Sequence, residues 1–171
     1  MRRILLRNVT QGPFTEPAPA ADEAALAELA ARLNKGAQAR LGRTLSIREV
    51  DAGSCNGCEL EIHALNNVLY DLERFGLRFV ASPRHADVLL VTGPVTQNMR
   101  EALERTYQAT PDPKWVVAVG DCARDGGIFA GSAACIGAVS AVVPVDLHIA
   151  GCPPSPTALL RGLLALVETV K

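Results

Sequence analysis

Two uninterrupted apolar runs, Val88-Leu89-Leu90-Val91 and Trp115-Val116-Val117-Ala118-Val119, constrain this chain more than any other feature. Neither alternates apolar with polar residues, so neither suits a strand with one face in water. Both suit strands buried on both faces. A helical pattern at 96–108 separates them, and the same rhythm extends on either side. Residues 44–50 read as a strand. Residues 59–75 read as a helix carrying Leu60, Ala64, Leu65, Val68 and Leu72 on one face. Short strands follow at 77–81 and 87–91, then the strand at 115–119 and a mixed, Gly-rich, partly helical segment at 127–139. A strand at 146–149 precedes a last helix at 156–170, opened by Pro156. Strands alternating with helices make a parallel sheet covered on both faces, a doubly wound α/β domain.

Ahead of this domain, residues 1–21 read as an irregular lead, because Gln11-Gly12-Pro13, Pro17 and Pro19 oppose regular structure. From Asp22 to about residue 40, Leu26, Leu29, Ala30 and Leu33 recur at helical spacing. Asp22 suits the N-cap and Gly36 suggests an early stop. This amphipathic helix either packs on its own domain or docks on a partner, and the pattern alone leaves both open. The chain thus divides into an N-terminal extension at 1–43 and a domain at 44–171.

A net charge of −1 with scattered Lys and Arg, and only 4% aromatic residues, speaks against a nucleic-acid-binding surface. No apolar run reaches the roughly 20 residues of a membrane span. Met1-Arg2-Arg3-Ile4-Leu5-Leu6-Arg7-Asn8 is basic, but no apolar stretch or cleavage site follows it, so no secretory signal is expected. The expected compartment is the cytosol, with any membrane association made through partners. Five cysteines in a reducing compartment point to metal binding or redox chemistry rather than disulfides.

The cysteines fall where a parallel sheet would use them. Cys55 and Cys58 follow the strand at 44–50, Cys122 follows the strand at 115–119, and Cys152 follows the strand at 146–149. Carboxyl ends of parallel strands share one edge, the edge at which such folds bind ligands. Four thiolates suit zinc or an iron–sulfur cluster. Structural zinc sites usually come as two local pairs, whereas here only Cys55-Asn56-Gly57-Cys58 is paired, which favours the larger cluster. Gly53, Gly57, Gly120 and Gly151 would let backbone N–H groups approach the sulfurs. A C-x-x-C pair can also exchange disulfides, but that reading leaves Cys122 and Cys152 without a role. Cys135 sits apart, on what reads as a helical face, and is expected to be a small buried hydrophobe.

Cys55-Asn56-Gly57-Cys58-Glu59-Leu60-Glu61, Gly120-Asp121-Cys122 with Asp125-Gly126-Gly127-Ile128-Phe129, Val143-Pro144-Val145-Asp146 and Gly151-Cys152-Pro153-Pro154-Ser155-Pro156 together resemble the small-subunit family of [NiFe]-hydrogenases. That family includes the 20-kDa-type subunit of respiratory complex I. Ser82-Pro83-Arg84-His85-Ala86-Asp87 with Thr92-Gly93 resembles its energy-converting, formate-hydrogenlyase-type branch (group 4). The resemblance covers about 44–170. Complex I members carry adjacent cysteines at the first ligand position, where this chain has C-x2-C. Periplasmic hydrogenase small subunits add clusters on a C-terminal extension, which this sequence does not carry.

The resemblance implies a flavodoxin-like sheet and one [4Fe–4S] cluster on Cys55, Cys58, Cys122 and Cys152. It implies electron transfer between a ferredoxin-like subunit and a Ni–Fe site in a large subunit, with membrane-arm subunits anchoring the complex on the cytoplasmic side of the membrane. A nickel-free, complex I-like oxidoreductase linked to ferredoxin or quinone is the alternative. The segment at 5–17 lies outside the family core and would be an arm across those partners.

Other residues carry weaker expectations. Glu59 and Glu61 open a helix where acidic groups suit the dipole, and Glu59 is also a candidate proton-path residue at a subunit interface. His63 is expected to be packed or capping on the first turns of that helix. His85 is expected at an interface and His148 inside the core. Arg84 and Arg124 would lie near the cluster or pair with acidic groups of a partner.

Overall fold

A computed structural model describes Arg7 and residues 23–169. The irregular lead, the Asp22 cap and the arm at 5–17 otherwise fall outside the described residues. The strands are β1 (Ser46–Asp51), β2 (Arg78–Phe79), β3 (Val88–Thr92), β4 (Val95–Thr96), β5 (Trp115–Val119), β6 (Cys135–Gly137) and β7 (Leu147–Ile149). The helices are α1 (Glu23–Leu41), α2 (Gly57–Ala64), α3 (Arg100–Ala109), α4 (Asp121–Asp125) and α5 (Pro156–Thr169). The main sheet is parallel and five-stranded, in the order β2-β1-β3-β5-β7, while β4 and β6 form a separate antiparallel pair. With that pair set aside, the order is the doubly wound, flavodoxin-like one.

The apolar runs behave as central strands must. Val88 and Leu90 of β3, with Trp115, Val117 and Val119 of β5, point into one core layer. Leu89 and Val91, with Val116 and Ala118, point into the other. The first layer is closed by α1, α2 and α5 through Leu33, Ala37, Ile62, Leu159, Leu160 and Leu163. The second is closed by Leu103 of α3 and Ala123 of α4. Each fully buried leucine contributes about 1.5–3 kcal/mol relative to exposure. Among the described residues, no helix is long and apolar enough to cross a membrane.

Several expectations yield to local chemistry. Helix α1 does not stop at Gly36. It continues to Leu41 and packs on its own domain, and Gly36 is where Val167 comes closest, so that a β-carbon there would lie 2.9 Å from Val167 Cγ2. The long helix at 59–75 ends at Ala64. The Asn67 side-chain oxygen accepts the N–H groups of Leu69 and Tyr70 at 2.8 and 3.1 Å, offering the backbone a competing partner. Asp71 is left-handed, and only a 3-10 turn, Leu72–Phe75, follows. Leu60 and Val68 are consequently exposed, while Ile62, Leu65 and Leu72 are buried.

Thr96 belongs to β4, because its N–H donates to Ala52 O at 2.8 Å, and α3 begins only at Arg100. Cys135 lies in β6, half-buried and paired with Thr96, not on a helix. His148 is exposed on the edge strand β7, not in the core. His63 lies in the last turn of α2 and is exposed, since the helix is short.

Candidate metal centre

The carboxyl edge of the sheet carries the thiols, and backbone hydrogen bonds fix their loops. After β1, the Asp51 carboxylate accepts the N–H groups of Gly53 and Ser54 at 2.7 and 2.9 Å. Ser54 Oγ accepts from Asn56 N–H at 3.0 Å, and left-handed Asn56 starts α2 with Cys58 in its first turn. Cys122 enters α4 directly after β5. Gly120 N–H donates to Ile149 O at 2.8 Å and Asp121 N–H to Gly151 O at 2.9 Å, which joins this loop to the Cys152 loop after β7. Asp121 Oδ1 accepts from Gly151 N–H at 3.3 Å. Asp51, Asn56 and Asp121 were not singled out in the sequence. Their signal was an Asx residue one or two positions from a glycine in the loop that follows a strand.

Close approaches bring the loops together. A β-carbon on Gly57 would lie 3.5 Å from Cys55 Sγ and 3.9 Å from Pro153 Cβ. At Gly120 (φ 87°) it would lie 2.7 Å from Cys58 Sγ, and at Gly127 2.8 Å from Cys122 Sγ. Cys55 and Cys152 are exposed, while Cys58 and Cys122 are half-buried. Burial first, then the negative charges of Glu59, Cys55, Cys122 and Cys152, pushes the Cys58 thiol up to about 12. Burial and then Cys152 raise Cys122, and the Ile128 N–H hydrogen bond opposes this. Cys58 and Cys122 therefore both feel the charge of Cys55 and Cys152. On binding iron each thiol would release its proton to solvent and bind as thiolate, whose charge the metal offsets, so four thiols at one edge suit an iron–sulfur group. Among the described residues, no three His, Cys, Asp or Glu side chains close on a point as ligands of one ion do.

Glu59 is 5% exposed, and neither of its oxygens has a hydrogen-bond partner among the described residues. A dipole role alone would leave it at the surface. Arg124 pairs with Asp121 at 3.3 Å and Asp125 at 2.9 Å within its own segment. Arg84 and His85 are exposed on the 3-10 turn Pro83–His85.

Residues 55–166 match the family described as NADH ubiquinone oxidoreductase, 20 Kd subunit. A probable membrane-bound hydrogenase subunit of Pyrococcus furiosus is 46% identical over 128 residues, covering 75% of this chain and 77% of that protein. Formate hydrogenlyase subunit 7 of Escherichia coli is 44% identical over 155 residues, 89% of this chain, which spans only 59% of that protein. A chain of the archaeal membrane-bound sulfane sulfur reductase superposes with a TM-score of 0.66 at 34% identity, covering 82% of this chain and 77% of that one. The strand-end thiols and these likenesses agree: the chain belongs to the family of the 20 Kd subunit of NADH ubiquinone oxidoreductase, and its relatives there are subunits of oxidoreductase complexes, hydrogenases among them.

Proposed function

We propose that this chain is the electron-transfer subunit of a membrane-associated [NiFe]-hydrogenase complex, holding one [4Fe–4S] cluster on Cys55, Cys58, Cys122 and Cys152. The observation that carries the reading is the meeting of thiols from three separate strand ends at one edge. Bound there, the cluster would supply one-electron transfer between a ferredoxin-like subunit and the Ni–Fe site of a large subunit, in hydrogen formation or oxidation. The protein's part is position and environment. Gly120 and Gly127 leave room at the sulfurs of Cys58 and Cys122. Ile128 N–H donates to the Cys122 sulfur, a bond that lowers electron density there and raises a cluster's potential. The domain at 44–171 would carry the cluster with helix α1 packed on it, and the segment at 5–17 would be an arm across partners, with the subunit held peripherally on the cytoplasmic side through membrane-arm subunits.

A nickel-free reading has one specific support, the likeness to a sulfane sulfur reductase chain. Nickel, iron and acid-labile sulfide measured on the anaerobically purified complex separate the two. About four irons and four sulfides per chain, with a reduced-cluster EPR signal, support the cluster. Nickel in the complex supports the hydrogenase. Stoichiometric zinc without an EPR signal would sink both.

A further inference from the structure

The carboxyl half of β1 outruns β2, which leaves it after Phe79. The gap, a cleft of about 240 Å³, is lined by Arg48, Glu49, Ile62, His63, Asn66 and Val80, among others. Its polar groups are incompletely satisfied. Glu49 Oε1 and Arg48 Nε are buried without hydrogen-bond partners among the described residues, as are both oxygens of neighbouring Glu59. His63 Nε2 stands 3.6 Å from the other Glu49 oxygen. Burial, Glu59 and Asp51 all disfavour the Glu49 carboxylate, while His63 and Arg48 favour it. The half-buried Glu49, with one oxygen buried and unpaired, and the buried Glu59 beside it cost free energy that a donor or cation from outside would offset.

Along the chain from the lining residues Ile62 and Asn66, the surface is of another kind. Leu60 of α2 and Val68 and Leu69 of the following turn are 60%, 96% and 74% exposed. The turn that presents them is fixed by Asn67, so they are held outward rather than loose. Exposed apolar residues held in place beside polar groups that lack partners mark a surface at which another protein binds.

We infer that the cleft between β1, β2 and α2 receives a Lys or Arg side chain from a partner subunit, which pairs with Glu49 while apolar residues beside it cover Leu60, Val68 and Leu69. A main-chain carbonyl of the same segment would accept from Arg48 Nε. The inference rests on the proposed function only in taking the chain as one subunit of a complex.

The test places the photo-crosslinker benzoylphenylalanine at exposed Asn66, in the whole complex with Glu49 untouched. Irradiation is expected to join it to one partner subunit, at a peptide in which Lys or Arg adjoins the link. Glu49→Lys is then expected to weaken retention of that subunit roughly tenfold or more, and reversing the charge of the linked partner residue to restore it. No link to protein, a link to lipid only, or a link to a peptide without a basic residue overturns the inference. Iron and EPR on the same sample keep the two readings apart. Normal iron without the link sinks the docking alone, and the link without iron sinks the cluster alone.

Discussion

The α-carbon of Gly120 faces the sulfur of Cys58 so closely that a β-carbon would stand 2.7 Å from it, in a backbone with φ 87°. A turn outside the range of ordinary L-residues thus brings the β5 loop against the Cys58 thiol of α2. Gly120→Ala must relax both the turn and the thiol. It is expected to cost about 1–3 kcal/mol in urea unfolding and to lower the iron bound per chain. Unchanged iron and stability would show that the close approach is dispensable.

The four thiols of the iron-free chain should differ in reactivity. Cys58 is half-buried and pushed up to about 12 by burial and neighbouring negative charge. Iodoacetamide at pH 8, read by mass spectrometry, should therefore modify exposed Cys55 and Cys152 before Cys58. The Cys58 rate should continue to climb with pH towards about 12, where its thiolate finally dominates. Early modification of Cys58 would contradict the packing of Gly120 and Glu59 around it.

Asp87 is a second test, remote from the thiols. Its carboxylate is 2% exposed and accepts from Arg43 Nη1 at 3.1 Å, from Arg43 Nη2, and from Ser46 N–H at 2.9 Å. Asp87→Ala leaves the Ser46 N–H buried without its acceptor, and should lower unfolding stability by about 3 kcal/mol. Arg43→Ala should cost less, because that side chain is half in water already.

Glu49 gives a pH dependence. Burial raises its carboxyl above the ordinary 4.5, so the folded chain holds that proton more tightly than the unfolded chain. The associated stability is present below pH 4.5 and is lost as pH rises through the elevated folded value. Glu49→Gln in the isolated chain should flatten that fall in urea unfolding above pH 4.5. An unchanged slope would place the titration elsewhere.

The sheet and the thiol edge were legible because they depend on local period. The runs at 88–91 and 115–119 can be buried on both faces only as central strands, and topology then carries Cys55, Cys58, Cys122 and Cys152 to one side. The reading failed at 59–75, where apolar spacing suggests a helix but the Asn67 side chain competes for the backbone within a single turn. It failed at His148 because a strand of mixed residues does not say whether it lies at the edge or the centre.

By itself, then, the sequence determined which segments are strands with two apolar faces and which residue types stand at their ends, since both follow from neighbours along the chain. Only the tertiary structure decided that Arg43 reaches Asp87 across 44 positions, that Glu59 is buried without a donor among the described residues, and that β2 leaves a cleft beside Glu49. Those outcomes depend on which side chains meet after the chain has folded back on itself, and burial then sets whether a charge finds a partner within the chain or must find one outside it.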